Sequence, residues 1–225
     1  MAGRLENKVA VITGGTSGIG EVTAELFVAE GAQVVICGRS EEKGSAIAER
    51  LGSACQFVVA NIMNESDIKQ TIDFAVSEFG GIDVLFNNAG GPTAGDITNV
   101  DEDTIHYAMQ LLFSSAVLGI KHVVPHLQAR GGGSIINNSS IAAIRDNQGA
   151  LLYSAAKAAL THYSRLAGVR LGGDGIRVNC ISPGAIATPI FDGGSARANT
   201  LSDEQNAAKM QKLEGNLARA TPMQK

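Results

Sequence analysis

The sequence predicts an α/β fold with a doubly wound, parallel sheet covered by helices on both faces. Strand-like runs alternate strictly with helical segments along the chain, which is the pattern of strands joined by helical crossovers. The first run, Val9 to Ile12, is continuously apolar, as strands buried on both faces are. A chain of 225 residues, of which 44% are hydrophobic and 18% charged, suits one domain with a sizeable core.

Six strands and five helices make up this alternation. The strands are predicted at 8–13, 33–37, 55–60, 82–86, 133–139 and 176–181. The helices are predicted at 19–30, 41–51, 65–79, 101–129 and 150–172. No repeat or linker divides the chain, so residues 1–225 are expected to form a single domain.

The composition favours a small soluble molecule as the ligand. The net charge is −4, the sequence pI is near 5.6, and no basic stretch could bind nucleic acid or an anionic membrane. Met1 to Lys8 is polar and no apolar run approaches the length of a membrane span, so a cytoplasmic protein is expected. Cys37, Cys55 and Cys180 lie on strand-like runs, which favours buried reduced thiols.

A glycine cluster follows the first strand and runs into the first helix. Gly14, Gly18 and Gly20 lie between Thr13 and the helical pattern that continues from Glu21. Glycine lets the backbone turn tightly and approach a pyrophosphate, whose charge is attracted by the free amides and positive dipole end of the following helix. Because a second strand ends about twenty residues later, the context supports a dinucleotide-binding motif.

The residues that carry chemistry are Ser140 and the pair Tyr153 and Lys157. Residues four apart on a helix share a face, so Tyr153 and Lys157 can point at the same ligand. A free tyrosine has a pKa of about 10, and the nearby Lys157 ammonium is expected to lower it toward that of a useful base. Ser140 ends a β-prone run, which places its hydroxyl at the carboxyl edge of a strand, where it could hold a substrate oxygen. Alone, the Tyr–Lys pair could be an ordinary amphipathic pair.

With these motifs the chain resembles the short-chain dehydrogenase/reductase family. The motifs that carry the resemblance, in the family's order, are Thr13-Gly14-x-x-x-Gly18-x-Gly20, Asn87-Asn88-Ala89-Gly90, Ser140, Tyr153-x-x-x-Lys157, and Pro183-Gly184 with Thr188. The resemblance covers nearly the whole chain. It implies a Rossmann-type, three-layer fold and an NAD(P)-dependent enzyme that interconverts a secondary alcohol and its ketone.

The resemblance also assigns the cofactor contacts. The phosphate loop would be formed by Gly14, Thr16, Ser17, Gly18, Ile19 and Gly20. The adenosine half would be held by Asn61, Ile62, Asn88, Ala89 and Gly90. The nicotinamide half would be held by Pro183, Gly184, Ile186 and Thr188, together with Tyr153 and Lys157. Asn61-Ile62 and Asn88 to Gly90 could alternatively be plain strand caps.

Cofactor preference is determined at the end of the second strand, where a carboxylate would bind the ribose hydroxyls of NAD and repel the extra phosphate of NADP. That position is Gly38, and it is followed by Arg39. Because an arginine fork can hold a 2′-phosphate, the resemblance favours NADP(H) over NAD(H). The alternative is a solvated arginine at the strand end.

One position departs from the family's pattern. Where the family has an asparagine that holds a water linking the lysine to solvent, this chain has Leu112. Ser115 shares the helix face of position 112 and is the candidate substitute. The alternative is that Ser115 bonds a carbonyl of its own helix.

The function expected from these residues is hydride transfer, with Tyr153 exchanging the hydroxyl proton and Ser140 orienting the substrate oxygen. Lys157 would tune Tyr153 and bind the nicotinamide ribose. Apolar side chains are expected around the substrate: Ile144, Leu151, Leu152 and Phe191. They suggest that the substrate is a largely apolar, cyclic alcohol or ketone. The alternative is a dinucleotide-binding sensor or assembly subunit without turnover, which Leu112 and the short C-terminus motivate.

The end of the chain raises further expectations. Residues of about 186–218 are expected to form the substrate loop, with a loop and helix from Phe191 to Lys212. Family members continue through another helix and an edge strand, so the sequence is either incomplete or a short member whose partner subunit completes the sheet. The family resemblance implies a homodimer or homotetramer that is built on the helices at 101–129 and 150–172. His122 and His126 are spaced as a metal pair, but no third ligand joins them, so no metal site is predicted.

Overall fold

The computed structural model describes residues 3–188 and 202–220. Its strands are β1 (Val9–Thr13), β2 (Gln33–Gly38), β3 (Cys55–Val59), β4 (Val84–Asn87), β5 (Gly133–Asn138) and β6 (Ile176–Ile181). Its helices are α1 (Gly18–Ala29), α2 (Glu41–Leu51), α3 (Glu65–Phe79), α4 (Glu102–Met109), α5 (Ser115–Ala129), α6 (Leu151–Leu171) and α7 (Asp203–Ala220).

All six strands form one parallel sheet in the order β3-β2-β1-β4-β5-β6. This is the strand order of the Rossmann dinucleotide-binding fold, and it confirms the predicted fold class. The chain moves outward from β1 to β3 and then crosses to the other side of β1 with β4. Ligands of such sheets bind at this reversal, beyond the carboxyl ends of the strands.

The core has two layers because successive strand residues point to opposite faces. Val11 faces a cluster with Ile72 of α3 and Val123 of α5, whereas Ile12 faces a second cluster with Ala24 of α1 and Ile47 of α2. The prediction of a sheet covered on both faces is therefore confirmed. In the described part of the chain β6 pairs with β5 alone, and its residues Arg177, Asn179 and Ile181 are exposed.

The helix predicted at 101–129 is not continuous. A π-helical turn, Gln110–Ser114, separates α4 from α5. Apolar periodicity does not distinguish this wider turn from an α-helical one, so the turn is not visible in the sequence. The other predicted strands and helices differ from the observed ones only at their ends, by up to two residues.

The stretch Glu102–Ala129 is long and apolar enough to cross a membrane, judged by length and composition alone, and it is the one such stretch in residues 3–188 and 202–220. The expectation that no apolar run approaches that length was therefore wrong. Buried side chains of this stretch, among them Ile120, Val123 and Leu127, form part of the core. The core helix of a folded domain meets the same criterion of length and composition.

Candidate active site

A cavity of about 670 Å³ opens at the carboxyl ends of the strands. It is lined by the segments that follow β1, β2, β3, β4, β5 and β6, and by the start of α6. Every residue proposed above for catalysis or cofactor binding lines it, with the exception of Gly20. The fold therefore brings motifs that are distant in the sequence to one site.

The glycine loop between β1 and α1 forms one end of the cavity. Gly14 and Gly18 have φ values of +65° and +56°, a left-handed conformation that side chains rarely adopt. Gly20 lies beneath the loop, where a Cβ would be 2.2 Å from the carbonyl oxygen of Gly14 and 2.6 Å from Nδ2 of Asn88. Glycine at position 20 therefore permits close packing, and Gly18 and Ile19 at the start of α1 line the cavity.

The end of β2 is closely packed against the same loop. A Cβ at Gly38 would lie 2.7 Å from Cγ2 of Thr16, so a carboxylate at this position would displace Thr16. The exposed side chain of Arg39 follows at the cavity wall. This wall thus carries a positive charge, and a carboxylate at position 38 would require Thr16 to move.

Polar residues after β3 and β4 brace the site. The backbone amide of Asn61 donates to Oδ2 of Asp67 at 2.9 Å, and the side-chain Oδ1 of Asn61 accepts from the backbone amide of Met63 at 3.2 Å. Nδ2 of Asn88 donates to the carbonyls of Thr13 and Gly14 at 3.0 and 3.1 Å. Both asparagines thus make the strand-end contacts that the alternative interpretation expected, while they also line the cavity.

Ser140, Tyr153 and Lys157 meet at the other end of the cavity. Ser140 follows β5, and its Oγ accepts a hydrogen bond from the Ala142 amide at 3.1 Å. Tyr153 lies in the first turn of α6 and Lys157 in the next, with the Lys157 ammonium nitrogen 5.8 Å from the Tyr153 ring centroid. Lys157 is only 4% exposed, and its Nζ donates to the carbonyl of Asn138 at 2.5 Å.

Burial shifts both titratable groups away from their charged forms. It raises the pKa of Tyr153 above its ordinary value, and a hydrogen bond with Ser140 opposes this rise. Burial also lowers the pKa of Lys157 to about 8. The expected lowering of the Tyr153 pKa by Lys157 is therefore not found here, because removal of the phenolic group from water is the larger effect.

The sequence comparison identifies the family. A sequence model of the family described as short chain dehydrogenase matches residues 8–198. The chain belongs to the short-chain dehydrogenase family. Momilactone A synthase of rice (Oryza sativa subsp. japonica) is 38% identical over 192 residues, which are 84% of this chain and 70% of that protein.

Two further matches agree. The 3-alpha-(or 20-beta)-hydroxysteroid dehydrogenase of Mycobacterium tuberculosis is 36% identical over 85% of this chain and 74% of its own length. A crystal structure of a short-chain dehydrogenase/reductase of unknown function from Caenorhabditis elegans, with cofactor, matches 96% of this chain and 80% of that chain, with a TM-score of 0.84 and 36% identity. The chain is thus an oxidoreductase of the NAD(P)(H)-using short-chain dehydrogenases.

The residues of this short-chain dehydrogenase fit such a cofactor. The left-handed Gly14 and Gly18 form a cradle, and a Cβ at Gly14 would lie 2.8 Å from Cα of Ala89. The cradle leads to the N-terminus of α1, which suits a pyrophosphate. A volume of about 670 Å³ lies in the range of small-molecule and cofactor sites.

The position at which the family resemblance led us to expect an asparagine is buried. Leu112 lies in the π-helical turn and is 1% exposed. Oγ of Ser115 donates to the Leu111 carbonyl at 2.8 Å, so the structure shows the second interpretation of Ser115, a bond within its own helix. Both residues line a void of about 10 Å³ beside Lys157.

Several predicted features lie elsewhere. Ile144, Leu151 and Leu152 do not line the cavity, and Phe191 lies outside the described residues. Apolar side chains of the cavity wall come instead from Pro92, Tyr107, Leu111 and Ile141. They belong to a loop, the end of α4, the π-helical turn and a 3₁₀ turn. Hydrophobic periodicity does not reveal which side of such segments faces inward.

Two polar residues of the cavity were also missed. Thr93 and Asn138 line it, and each has a buried side-chain oxygen without a hydrogen-bond partner in the described part of the chain. The doublet Asn137-Asn138 at the end of an apolar strand was a visible signal. His122, by contrast, bonds Oε1 of Glu65 at 2.8 Å, and no group of three metal ligands occurs among the described residues.

Proposed function

We propose that this short-chain dehydrogenase interconverts a secondary alcohol and its ketone by hydride transfer with NADP(H), and that Tyr153 is the acid and base. The observation that carries the proposal is the convergence of Ser140, Tyr153 and Lys157 on one cavity with the glycine loop. A hydroxyl, a phenol and an ammonium at this spacing have a direct use in alcohol oxidation.

The roles of the residues follow from their positions. A bound nicotinamide would supply the hydride acceptor for the alcohol carbon and the hydride donor for the ketone carbon. Tyr153 takes the hydroxyl proton during oxidation and returns it during reduction. Ser140, which shares a hydrogen bond with Tyr153, holds the substrate oxygen and stabilises its developing charge. The Lys157 ammonium stabilises the phenolate and binds the nicotinamide ribose.

The remaining cavity residues are proposed as cofactor contacts. The glycine loop would hold the pyrophosphate, and Arg39 would hold a 2′-phosphate, which favours NADP(H) over NAD(H). Asn61, Ile62 and the segment Asn88 to Gly90 would contact the adenosine half. The loop after β6 would hold the carboxamide through Thr188 and the backbone of Ile186, with Pro183 and Gly184 shaping it.

The substrate is proposed to be largely apolar and cyclic. Apolar side chains line part of the cavity, among them Pro92, Tyr107, Leu111 and Ile141, which favours an apolar molecule. A relative with 36% identity is named a hydroxysteroid dehydrogenase, and a hydroxysteroid is a cyclic, largely apolar alcohol. The wall and the relative's name support the same class of substrate.

Turnover of a panel of cyclic secondary alcohols, measured by the absorbance of the reduced cofactor, tests the proposal. Tyr153→Phe should abolish turnover and leave cofactor affinity within about threefold, because it removes the proton-exchanging oxygen alone. Tyr163→Phe makes the same change on the same helix outside the cavity, where Tyr163 packs edge-on against Phe113, and it should keep wild-type turnover. If the protein binds the cofactor but shows no turnover that depends on Tyr153, the alternative is favoured, which is a dinucleotide-binding sensor or assembly subunit.

We also propose the domain organisation, the oligomeric state and the cellular location of the enzyme. Residues 1–225 would form one domain with a substrate loop at about 186–218, of which residues 189–201 lie outside the described part. A homodimer or homotetramer would use α4, α5 and α6, which expose Ile105 and Val169 among other apolar side chains. The free thiols Cys37, Cys55 and Cys180 favour the cytoplasm. Light scattering of the purified protein measures the oligomeric state.

A further inference from the structure

The side-chain oxygen of Asn138 is buried and accepts no hydrogen bond from any residue of the described part of the chain. Asn138 is the last residue of β5 and lines the large cavity. Buried acceptors are nearly always paired, so an unpaired one on a residue that lines a ligand cavity points to a donor from the ligand.

The orientation of the Asn138 amide follows from its neighbours. Nδ2 of Asn88 donates to the carbonyls of Thr13 and Gly14, which can only accept, so Oδ1 of Asn88 must face the other way. That oxygen accepts from Nδ2 of Asn138 at 2.9 Å. Rotating the Asn138 amide by a half-turn would set two oxygens against each other. The unpaired atom of Asn138 is therefore its acceptor oxygen.

The same residue also holds Lys157. The backbone carbonyl of Asn138 accepts the hydrogen bond from the Lys157 ammonium at 2.5 Å. A Cβ placed on Gly90 would lie 3.8 Å from that ammonium nitrogen and 4.0 Å from the Asn88 carbonyl oxygen. Asn138 thus bonds both Lys157 and Asn88, and a chain of hydrogen bonds runs through it from Lys157 to the glycine loop.

The chemistry of a dinucleotide restricts what can satisfy this oxygen. A pyrophosphate offers acceptors only, whereas a ribose hydroxyl can donate. We propose that Asn138 is a further cofactor-binding residue, whose Oδ1 accepts a hydrogen bond from a hydroxyl of the ribose on the nicotinamide side, next to Lys157. This inference rests on the cofactor binding stated under the proposed function, and it adds a contact that the glycine loop and the catalytic trio do not include.

The test is the affinity of Asn138→Leu for NADPH and for a fragment that lacks the nicotinamide half, 2′,5′-ADP. NADPH binding is followed by its fluorescence and fragment binding by calorimetry. The variant is expected to bind NADPH about tenfold more weakly, which corresponds to about 1.4 kcal/mol, and to bind 2′,5′-ADP within twofold of the wild type. Unchanged NADPH affinity would overturn the inference. An equal loss for both ligands would also overturn it, because Asn138 would then act through Asn88 and the glycine loop.

A second measurement does not depend on the variant folding as the wild type does. An NADPH analogue without the hydroxyls of the nicotinamide-side ribose should bind the wild type more weakly than NADPH does. This loss should be smaller in Asn138→Leu and in Asn138→Ala, and an equal loss in all three proteins contradicts the proposed contact. If the wild type binds neither NADPH nor NADH, the proposed function itself fails. If it binds them without turnover that depends on Tyr153, only the proposed catalysis fails.

Discussion

The ammonium nitrogen of Lys157 lies 5.8 Å from the centroid of the Tyr153 ring, within the range of a cation–π contact. Both side chains are largely removed from water, and burial acts on them in opposite directions. It raises the pKa of Tyr153 and lowers that of Lys157 to about 8. The charged pair that catalysis would use is therefore disfavoured by the protein alone, and negative or hydrogen-bonding groups of a bound ligand would favour the ammonium.

Cofactor affinity should consequently depend on pH above neutrality. The pKa of Lys157 is lowered from 10.5 to about 8, so the side chain is an ammonium below pH 8 and loses its proton as the pH rises through that value. If the ammonium binds the ribose, the NADPH dissociation constant should be constant from pH 6 to about 7.5 and then rise by up to about tenfold per pH unit. Fluorescence titrations between pH 6 and 9.5 measure it.

Lys157→Met is the control for this prediction. The thioether fills the same buried space without a titratable group, so NADPH should bind weakly and with little dependence on pH. A wild-type dissociation constant that stays constant to pH 9.5 would show that the charge of Lys157 does not contribute to binding.

Cofactor preference should follow the charge at position 39. Arg39→Asp replaces the cation at the cavity wall with an anion that repels a 2′-phosphate, so the ratio of kcat/KM for NADP to that for NAD should fall by at least about tenfold. Arg145→Asp makes the same change of charge at an exposed position outside the cavity, and it should keep the ratio within about twofold. Steady-state kinetics with both cofactors would contradict the assignment if Arg39→Asp and Arg145→Asp behaved alike.

Gly20 should be essential for the shape of the phosphate loop. The Cβ of Gly20→Ala would lie 2.2 Å from the Gly14 carbonyl oxygen, which is backbone and cannot move without shifting the loop. NADPH affinity should fall by more than about tenfold, and the melting temperature should decrease. Gly173→Ala is the matched control, since a Cβ there meets nothing within 4 Å, and it should retain both affinity and stability. Equal behaviour of the two variants in fluorescence and thermal melts would refute the close-packing argument.

The part of the site that the sequence predicts is the part fixed by short motifs. Gly14 and Gly18 need conformations that glycine adopts most easily, and Tyr153 and Lys157 lie one turn apart on any helix, so these positions are readable without a structure. The parallel sheet follows equally from continuous apolar runs between helices.

The rest depends on contacts between distant segments. The direction of the Tyr153 pKa shift depends on how much of the phenol is buried, and the role of Asn138 depends on Asn88, fifty residues away in the chain. The π-helical turn around Leu112 has the same apolar pattern as an α-helix. Such features arise from tertiary packing, which local patterns do not encode.

A buried polar network under the site gives a prediction about stability. Nδ2 of Asn87 donates to Oδ1 of Asn137 at 2.8 Å, and Nδ2 of Asn137 donates to Oγ of Ser164 at 2.7 Å. Asn137 is 0% exposed and Ser164 is 2% exposed, so water cannot replace a lost bond. These hydrogen bonds connect β4 and β5 to α6, the helix that carries Tyr153 and Lys157.

Ser164→Ala removes the acceptor of the Asn137 amide and leaves a buried donor unpaired. The free energy of unfolding should fall by about 1–3 kcal/mol, offset by about 0.5 kcal/mol from the better helix propensity of alanine. Ser77→Ala is the control, because it gives the same gain in helix propensity within α3. Ser77 also donates to a carbonyl of its own helix, that of Phe74, but at an exposed position. Urea denaturation should therefore place Ser164→Ala at least about 1 kcal/mol below Ser77→Ala. Equal stabilities would mean that the Asn137 amide finds another acceptor and that the network does not anchor α6 to the sheet.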